Sequence, residues 1–495
     1  MSFTSPSFFV FLAACCAAYY LAPRRWQNSV LLVCSLWFAA ACGAATLAVL
    51  CAEILCTYGL ALALGHVRPE HRRRVLIAGV VGLLAALIAL KYSGMLLDTA
   101  AQLWPALADV PALSGAVGVL GISYYTLMAI GYLADVYSGR TRPERSLWRL
   151  ALFLSFFPQF VSGPIGRAGE LLPQFDAPRP FDYDRFAAGL TRMLLGYFKK
   201  LVIADSLALA VDPVFERPAE FSGPAVLLAS LAFSYQLYCD FSGYTDIARG
   251  LGEVFGISLR ENFRRPFAAR SYGELWNRWH LSLSRWFRDY VYIPLGGSRR
   301  GLGRLCLATM AVFSLSGLWH NAGWLFLLWG VVNGLVVLEE KLTRTPRRAL
   351  AAKLPGYEGS AVQSVWQRVR VYLLFSLCFV LFRVGENTGA ALSDGLALYR
   401  QMLSGWGVVL APAALVAQLK AMSIGRKLTA YLTVSLALNE GLDWLAARRQ
   451  TDAAGFVRLQ KPAVRIALYY ALALLILFFG QLGSSSFIYF QFNGR

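Results

Sequence analysis

The sequence predicts an all-α, polytopic membrane protein, and three observations carry that prediction. Of its 495 residues 57% are hydrophobic and only 15% charged, whereas soluble domains carry about 25% charged residues. Mean hydropathy is +0.51. The apolar residues fall into runs near the ~20 residues that a helix needs to cross ~30 Å of hydrocarbon. The net charge of +19 is gathered in basic clusters between those runs. The positive-inside rule accounts for such clusters, so no nucleic-acid partner is expected.

Apolar runs lie near 6–22, 28–42, 44–65, 75–93, 113–133, 149–162, 187–211, 224–240, 303–319, 323–340, 369–385, 427–446 and 463–482. Several are short or interrupted, which leaves about eleven crossings, with the remaining pieces re-entrant or interfacial. The first run has no basic residue before it and Arg24-Arg25 after it. That order is the reverse of a signal peptide and predicts a retained helix with its N-terminus outside. Arg24-Arg25, His66 to Arg74 and Arg140 to Arg149 are expected in the cytoplasm. The 94–112 loop, which holds Asp98 and Asp109 but no Lys or Arg, is expected outside. Beyond residue 163 the orientation stays open, because Pro158, Gly163, Pro164 and Gly166 interrupt the pattern. No repeat or inverted pair of broken helices is visible. The longest polar connection, 343–368, is too short to fold by itself. One membrane domain over 1–495 follows, with its site-bearing core at 150–340.

The middle of the chain differs in kind. Asp240, Asp246, Arg249, Glu253, Arg260, Arg264, Arg265, Arg270, Arg278, Arg285, Arg288 and Asp289 crowd 234–301, between spans. Polar backbone at membrane depth survives only where protein buries it or water lines it. Within this stretch, a helix from Trp276 to Tyr290 would put Trp276, Trp279, His280, Leu283, Trp286, Phe287 and Tyr290 on one stripe, with Arg278, Arg285 and Arg288 facing away. That pattern predicts a helix lying at the membrane interface.

Two of the four histidines stand in apolar surroundings. His320, in Ser316-Gly317-Leu318-Trp319-His320-Asn321, reads either as a general base that takes a proton from an attacking hydroxyl or as a core histidine bonded to a carbonyl. Ionisable groups inside membranes favour function. His280 carries the same two readings, with packing the stronger. Asp240 is expected to pair with a downstream arginine. Gly296-Gly297 with Arg299, Arg300 and Arg304 reads as a cytoplasmic anchor, or else as a phosphate cradle. The nine cysteines include no CxxC and no zinc spacing, so they are read as packing residues and no metal is expected. No Ser-His-Asp order, Walker loop or dinucleotide fingerprint occurs. Acid–base chemistry on a substrate that brings its own leaving group is what remains.

Five stretches resemble the membrane-bound O-acyltransferase family, in particular the branch that acetylates bacterial polysaccharides such as alginate. They are Phe157-Pro158-Gln159 through Gly163-Pro164-Ile165; Tyr238 through Asp246; Glu261-Asn262-Phe263-Arg264-Arg265-Pro266; Trp276 through Gly297; and Gly317-Leu318-Trp319-His320. Weaker matches are Met1 to Ser5, Gly121 to Tyr124, Phe198-Lys199-Lys200, and Phe487 to Phe492. The resemblance implies a helical funnel in which His320 is the catalytic base and His280 a supporting polar residue. It also implies a thioester donor on the cytoplasmic side and an extracytoplasmic partner protein for polymer acceptors. Leu275 and Asn277 stand where the family usually has an aromatic residue and an arginine, and Asn333 where it often has a second histidine. These departures bear on acceptor and acyl preference.

The expected function is an O-acyltransferase of the cell (inner) membrane, supplied by acetyl-CoA or another acyl thioester, with membrane lipid around it and no bound cofactor. Its acceptor would be an exported or cell-wall polysaccharide. D-alanyl transfer to teichoic acid and transport of a lipid-linked sugar, with His320 as proton relay, are the alternatives. Buried N–H donors or an arginine would stabilise the oxyanion, and the sequence leaves both open.

Overall fold

The computed structural model describes all residues except 117, 177–179, 354–355, 387–389, 484–486 and 489–495. Among the described residues there is helix and no strand. The principal helices are α1 (Pro6–Leu21), α2 (Gln27–Ala41), α3 (Ala44–His66), α4 (Pro69–Leu87), α5 (Ile122–Tyr137), α6 (Leu147–Ser155), α7 (Tyr183–Tyr197) and α8 (Asp205–Glu216). After them come α9 (Gly223–Val254), α10 (Gly301–His320), α11 (Trp324–Leu342), α12 (Ala361–Gly385), α13 (Leu392–Met402), α14 (Arg426–Arg448) and α15 (Pro462–Phe479). α4 continues through a π turn, Ile88–Tyr92, into Ser93–Ala101. Five helices are long and apolar enough to cross a membrane among the described residues: α3, the extended α4, α10, α12 and α15.

The apolar runs of the sequence and the helices coincide closely, because hydrophobic run length is the strongest signal in such a chain. The exceptions are the run at 113–133, where the long helix begins at Ile122, and the run at 149–162, where the helix ends at Ser155. The segments around the first basic clusters are tied together: Arg72 donates to the Val136 carbonyl at 3.0 Å. Tyr58 donates to the Arg145 carbonyl at 2.7 Å, Arg149 to that of Leu172 at 3.0 Å, and Asn28 to that of Phe175 at 2.6 Å.

Two helix pairs touch backbone to backbone. A Cβ at Gly196 would lie 2.6 Å from the Gly243 carbonyl, and one at Gly189 would lie 2.6 Å from that of Gly250, so α7 and α9 cross with no side chain between them. α10 and α11 do the same through Gly317, 2.2 Å from the Phe326 carbonyl, and Gly330, 2.3 Å from that of Phe313. Small residues serve this purpose in membranes, where close van der Waals packing and not hydrophobicity drives helices together.

Three expectations fail here. The stretch that holds Asp240, Asp246, Arg249 and Glu253 is not irregular: α9 carries all of them and is helical to Val254. Asp240 pairs with Lys200 at 2.7 Å, not with a downstream arginine. Lys200 also reaches Asp205 at 2.8 Å, so one buried cation serves two carboxylates.

The third correction concerns 276–290, which is not one helix. It is a short helix ending at Trp276, a turn over 277–280, a second helix Leu281–Phe287 and a π turn Arg288–Tyr292. Trp279, Leu283, Trp286 and Phe287 are all buried in protein. Periodicity placed the apolar stripe correctly but could not see the break at His280, whose φ of 45° ends one helix and begins the next.

Candidate active site

The apolar interior has two parts, one built on α1–α6 with one face of α7 and the C-terminal half of α9, the other on α7–α15. Trp319 belongs to the first and Trp329 to the second; likewise Leu283 to the first and Trp279 to the second. His280 and His320 therefore lie on the seam between them. His66 and His71, by contrast, are exposed.

His280 owes its position to a left-handed backbone that a non-glycine residue adopts at a cost of about 1–3 kcal/mol. The neighbouring strand of chain holds the turn in place. The Leu281 amide donates to the Asn262 carbonyl at 3.0 Å, and that of Ser282 to Asn262 Oδ1 at 3.1 Å. The Arg264 amide donates to the Arg278 carbonyl at 3.0 Å. Ser282 Oγ in turn accepts from the Ile165 amide at 3.0 Å, which ties in the irregular, buried stretch 156–166. Both nitrogens of the His280 ring are buried with no hydrogen-bond partner among the described residues. Phe241 meets the ring edge-on at 4.7 Å.

His320 is the last residue of α10. Its ring stands 6.4 Å from that of His280 between centroids, and Trp329 and Phe382 flank it at 5.3 Å and 5.4 Å. The final carbonyls of a helix have no partner within it, and here an uncharged membrane interior offers few. Lys91, from the π turn after α4, supplies them: its ammonium donates to the Trp319 carbonyl at 2.5 Å, to that of His320 at 3.3 Å and to Ser123 Oγ at 3.0 Å. Tyr92 donates to the Leu318 carbonyl at 2.7 Å, and the Trp319 indole to the Ser123 carbonyl at 3.1 Å. Sequence reasoning missed Lys91. A lone lysine inside an apolar run was the available signal, and its π turn is a feature that recurs at functional sites.

The structure thus brings the two histidines together and explains why scattered motifs accompany them. Gly121 to Tyr124 backs Trp319, Glu261 to Pro266 clips the His280 turn, and Phe157 to Ile165 supports Ser282. Met1 to Ser5 and Phe487–Ile488 converge on α9: Phe3 stacks on Tyr244 at 5.0 Å, and the Ile488 amide donates to Asp240 at 3.0 Å. Tyr489 to Phe492 lie outside the described residues. Asn333 accepts from the Tyr272 hydroxyl and donates to the Trp329 carbonyl at 2.6 Å. Gly296 and Gly297 turn with φ of 105° and 52° into exposed Arg299, Arg300 and Arg304. A polar cavity of about 500 Å³ opens among α7, α9 and α14 and is lined by Lys199, Arg249, Asn262, Phe263 and Arg265. Phe263 lies 5.2 Å from Phe241, which touches His280. No cluster of metal-binding side chains occurs among the described residues.

Residues 140–382 match the membrane-bound O-acyltransferase (MBOAT) family. The "Probable alginate O-acetylase AlgI" of Azotobacter vinelandii is 38% identical over 348 residues, 70% of this chain and 69% of that one. The chain belongs to the MBOAT family. As an MBOAT protein it is an acyltransferase. It is also 34% identical to the "Peptidoglycan O-acetyltransferase" of Helicobacter pylori, over 68% of this chain and 69% of that one. Similarity to the "Teichoic acid D-alanyltransferase" of Bacillus subtilis is lower, 29% over 45% of this chain and 58% of that one. The MBOAT match contains both buried histidines and the segments that hold them. Lys91 and Ser123 fall outside it.

Proposed function

We propose that this MBOAT protein is an O-acetyltransferase of the cell (inner) membrane that carries acetyl from a cytoplasmic thioester, acetyl-CoA, toward an exported or cell-wall polysaccharide such as alginate. The observation that supports it best is the pairing of His280 and His320 at the seam of the two cores. His320 acts as general base: it accepts the proton of the attacking hydroxyl or thiol while the new bond forms at the thioester carbonyl. His280 supports it as the second polar group in an otherwise aromatic surround. The polar cavity lined by Arg249 and Asn262 is the donor's entrance. The fold has about eleven crossings in all, the shorter helices completing those long enough to span alone.

The acceptor polymer lies outside, and no loop is long enough to form a domain of ~50 residues that could grip it. A separate extracytoplasmic transferase therefore receives the group. Greater similarity to O-acetylating relatives than to the D-alanyltransferase favours acetyl over alanyl transfer.

Purified protein in proteoliposomes with acetyl-CoA inside, and the extracytoplasmic partner and polymer outside, should consume thioester, and His320→Ala should lower the rate ~10²–10⁴-fold. Mass analysis of surface polymer from strains with and without the chain identifies the acceptor. Native rates from folded His320→Ala protein would remove the base assignment, and dependence on an aminoacyl carrier protein would favour the alanyl route.

A further inference from the structure

The aromatic wall beside His320 contains an unused hydrogen-bond donor. Trp329 is only 1% exposed, yet its indole Nε1 is buried with no partner among the described residues. Leaving such a donor unpaired costs about 1–3 kcal/mol, and a phenylalanine would pack without that cost. Its neighbours do not call for an indole: Phe379 at 5.1 Å, Phe382 at 5.2 Å and Trp276 at 6.1 Å are all ring contacts. The Trp329 ring stands nearly perpendicular to that of His320, 5.3 Å away. Other tryptophans show that this chain normally satisfies the group: Trp286 donates to the Leu127 carbonyl at 2.8 Å, and Trp319 to that of Ser123 at 3.1 Å.

The geometry points to Trp329 as the oxyanion donor of the transfer: its indole N–H holds the carbonyl oxygen of the acyl thioester beside His320. This rests on His320 being the base. In the step, the acceptor hydroxyl oxygen forms a bond to the carbonyl carbon as its proton passes to the His320 ring. The carbonyl π pair moves onto oxygen, and the Trp329 N–H bonds that oxyanion. When the pair returns, the carbon–sulfur bond breaks, and the departing thiolate takes the proton from His320. A donor already fixed in a buried site needs no reorganisation as charge develops, which is where such groups are most effective.

Trp329→Phe removes the donor and keeps an aromatic ring. With acetyl-CoA as the probe, kcat should fall ~10²–10³-fold, the usual effect of losing one oxyanion donor, while the KM for acetyl-CoA stays near native. Replacing the indole at 329 by its benzothiophene isostere changes only the N–H, and serves if the phenylalanine variant fails to fold. Trp276→Phe is the comparator, because its Nε1 is also buried without a partner among the described residues. It should leave kcat largely intact. Near-native kcat in either folded 329 variant overturns the assignment, as does a large loss confined to Trp276→Phe. A His320→Ala protein that keeps full activity removes the base reading instead, whatever the 329 variants do.

Discussion

Lys91 donates to the carbonyl of Trp319 at 2.5 Å, with the His320 carbonyl at 3.3 Å. A helix C-terminus attracts a cation, and here the cation arrives from another helix at the one turn where a base is proposed. Lys91→Met leaves those carbonyls and Ser123 Oγ without this donor. We expect a loss of about 1–3 kcal/mol in stability and at least a tenfold fall in thioester consumption, partly restored by Lys91→Arg. Unchanged rate and unfolding temperature in detergent would show that the contact anchors nothing.

His280 makes a second, separable prediction. His280→Ala should reduce transfer less than His320→Ala does. His280→Gly should be more stable than His280→Ala by about 1 kcal/mol, because glycine adopts the left-handed backbone freely. Thermal unfolding of the two variants side by side tests this. Equal stability would mean that the turn relaxes on mutation.

Breaking the buried Lys200 pairs should be costly. Lys200→Met leaves Asp240 and Asp205 without their shared cation, and removing one partner of a buried pair typically costs about 3–5 kcal/mol. The yield of folded protein after extraction should collapse, whereas Arg217→Met, whose partner Glu220 is exposed with it, should change little.

The α10–α11 crossing gives the clearest steric test. Gly317→Ala puts a methyl group 2.2 Å from the Phe326 carbonyl, an overpacking that costs about 1–3 kcal/mol or more. A Cβ at Gly303 on the same helix meets nothing within 4 Å. Gly303→Ala should therefore leave the melting temperature unchanged or raise it slightly, since alanine is the better helix former, and an unchanged melting temperature in Gly317→Ala would show that the crossing relaxes to admit a methyl group.

Topology can be read by labelling. Single cysteines at 299 or 300, in a background without native cysteines, should resist an impermeant reagent on intact cells, and one at 98 should react. Labelling at 299 from outside would reverse the donor's side.

Most helix positions and the burial of His280 and His320 were legible in the sequence, since run length and the rarity of histidine in apolar surroundings are local signals. What was not legible depends on long-range contact. Asp240 found Lys200 because α7 and α9 meet at glycines, so the nearest cation in space lies earlier in the chain than any arginine considered. The break at His280 depends on Asn262 bonding across from another segment, which periodicity within 276–290 cannot register. Lys91 acquires its role only where the end of α10 meets it, a contact 228 residues away in sequence.

The glycine contact between α10 and α11 has a consequence for how the membrane stays sealed. With no side chain between the two backbones, α10 and α11 cannot slide past each other without a clash, so the hairpin that carries His320 keeps its internal geometry in any larger movement. Held so, the proposed base rides on a pair of helices that opens no gap of its own, and the bilayer's resistance to ions along that pair should be the same during turnover as at rest.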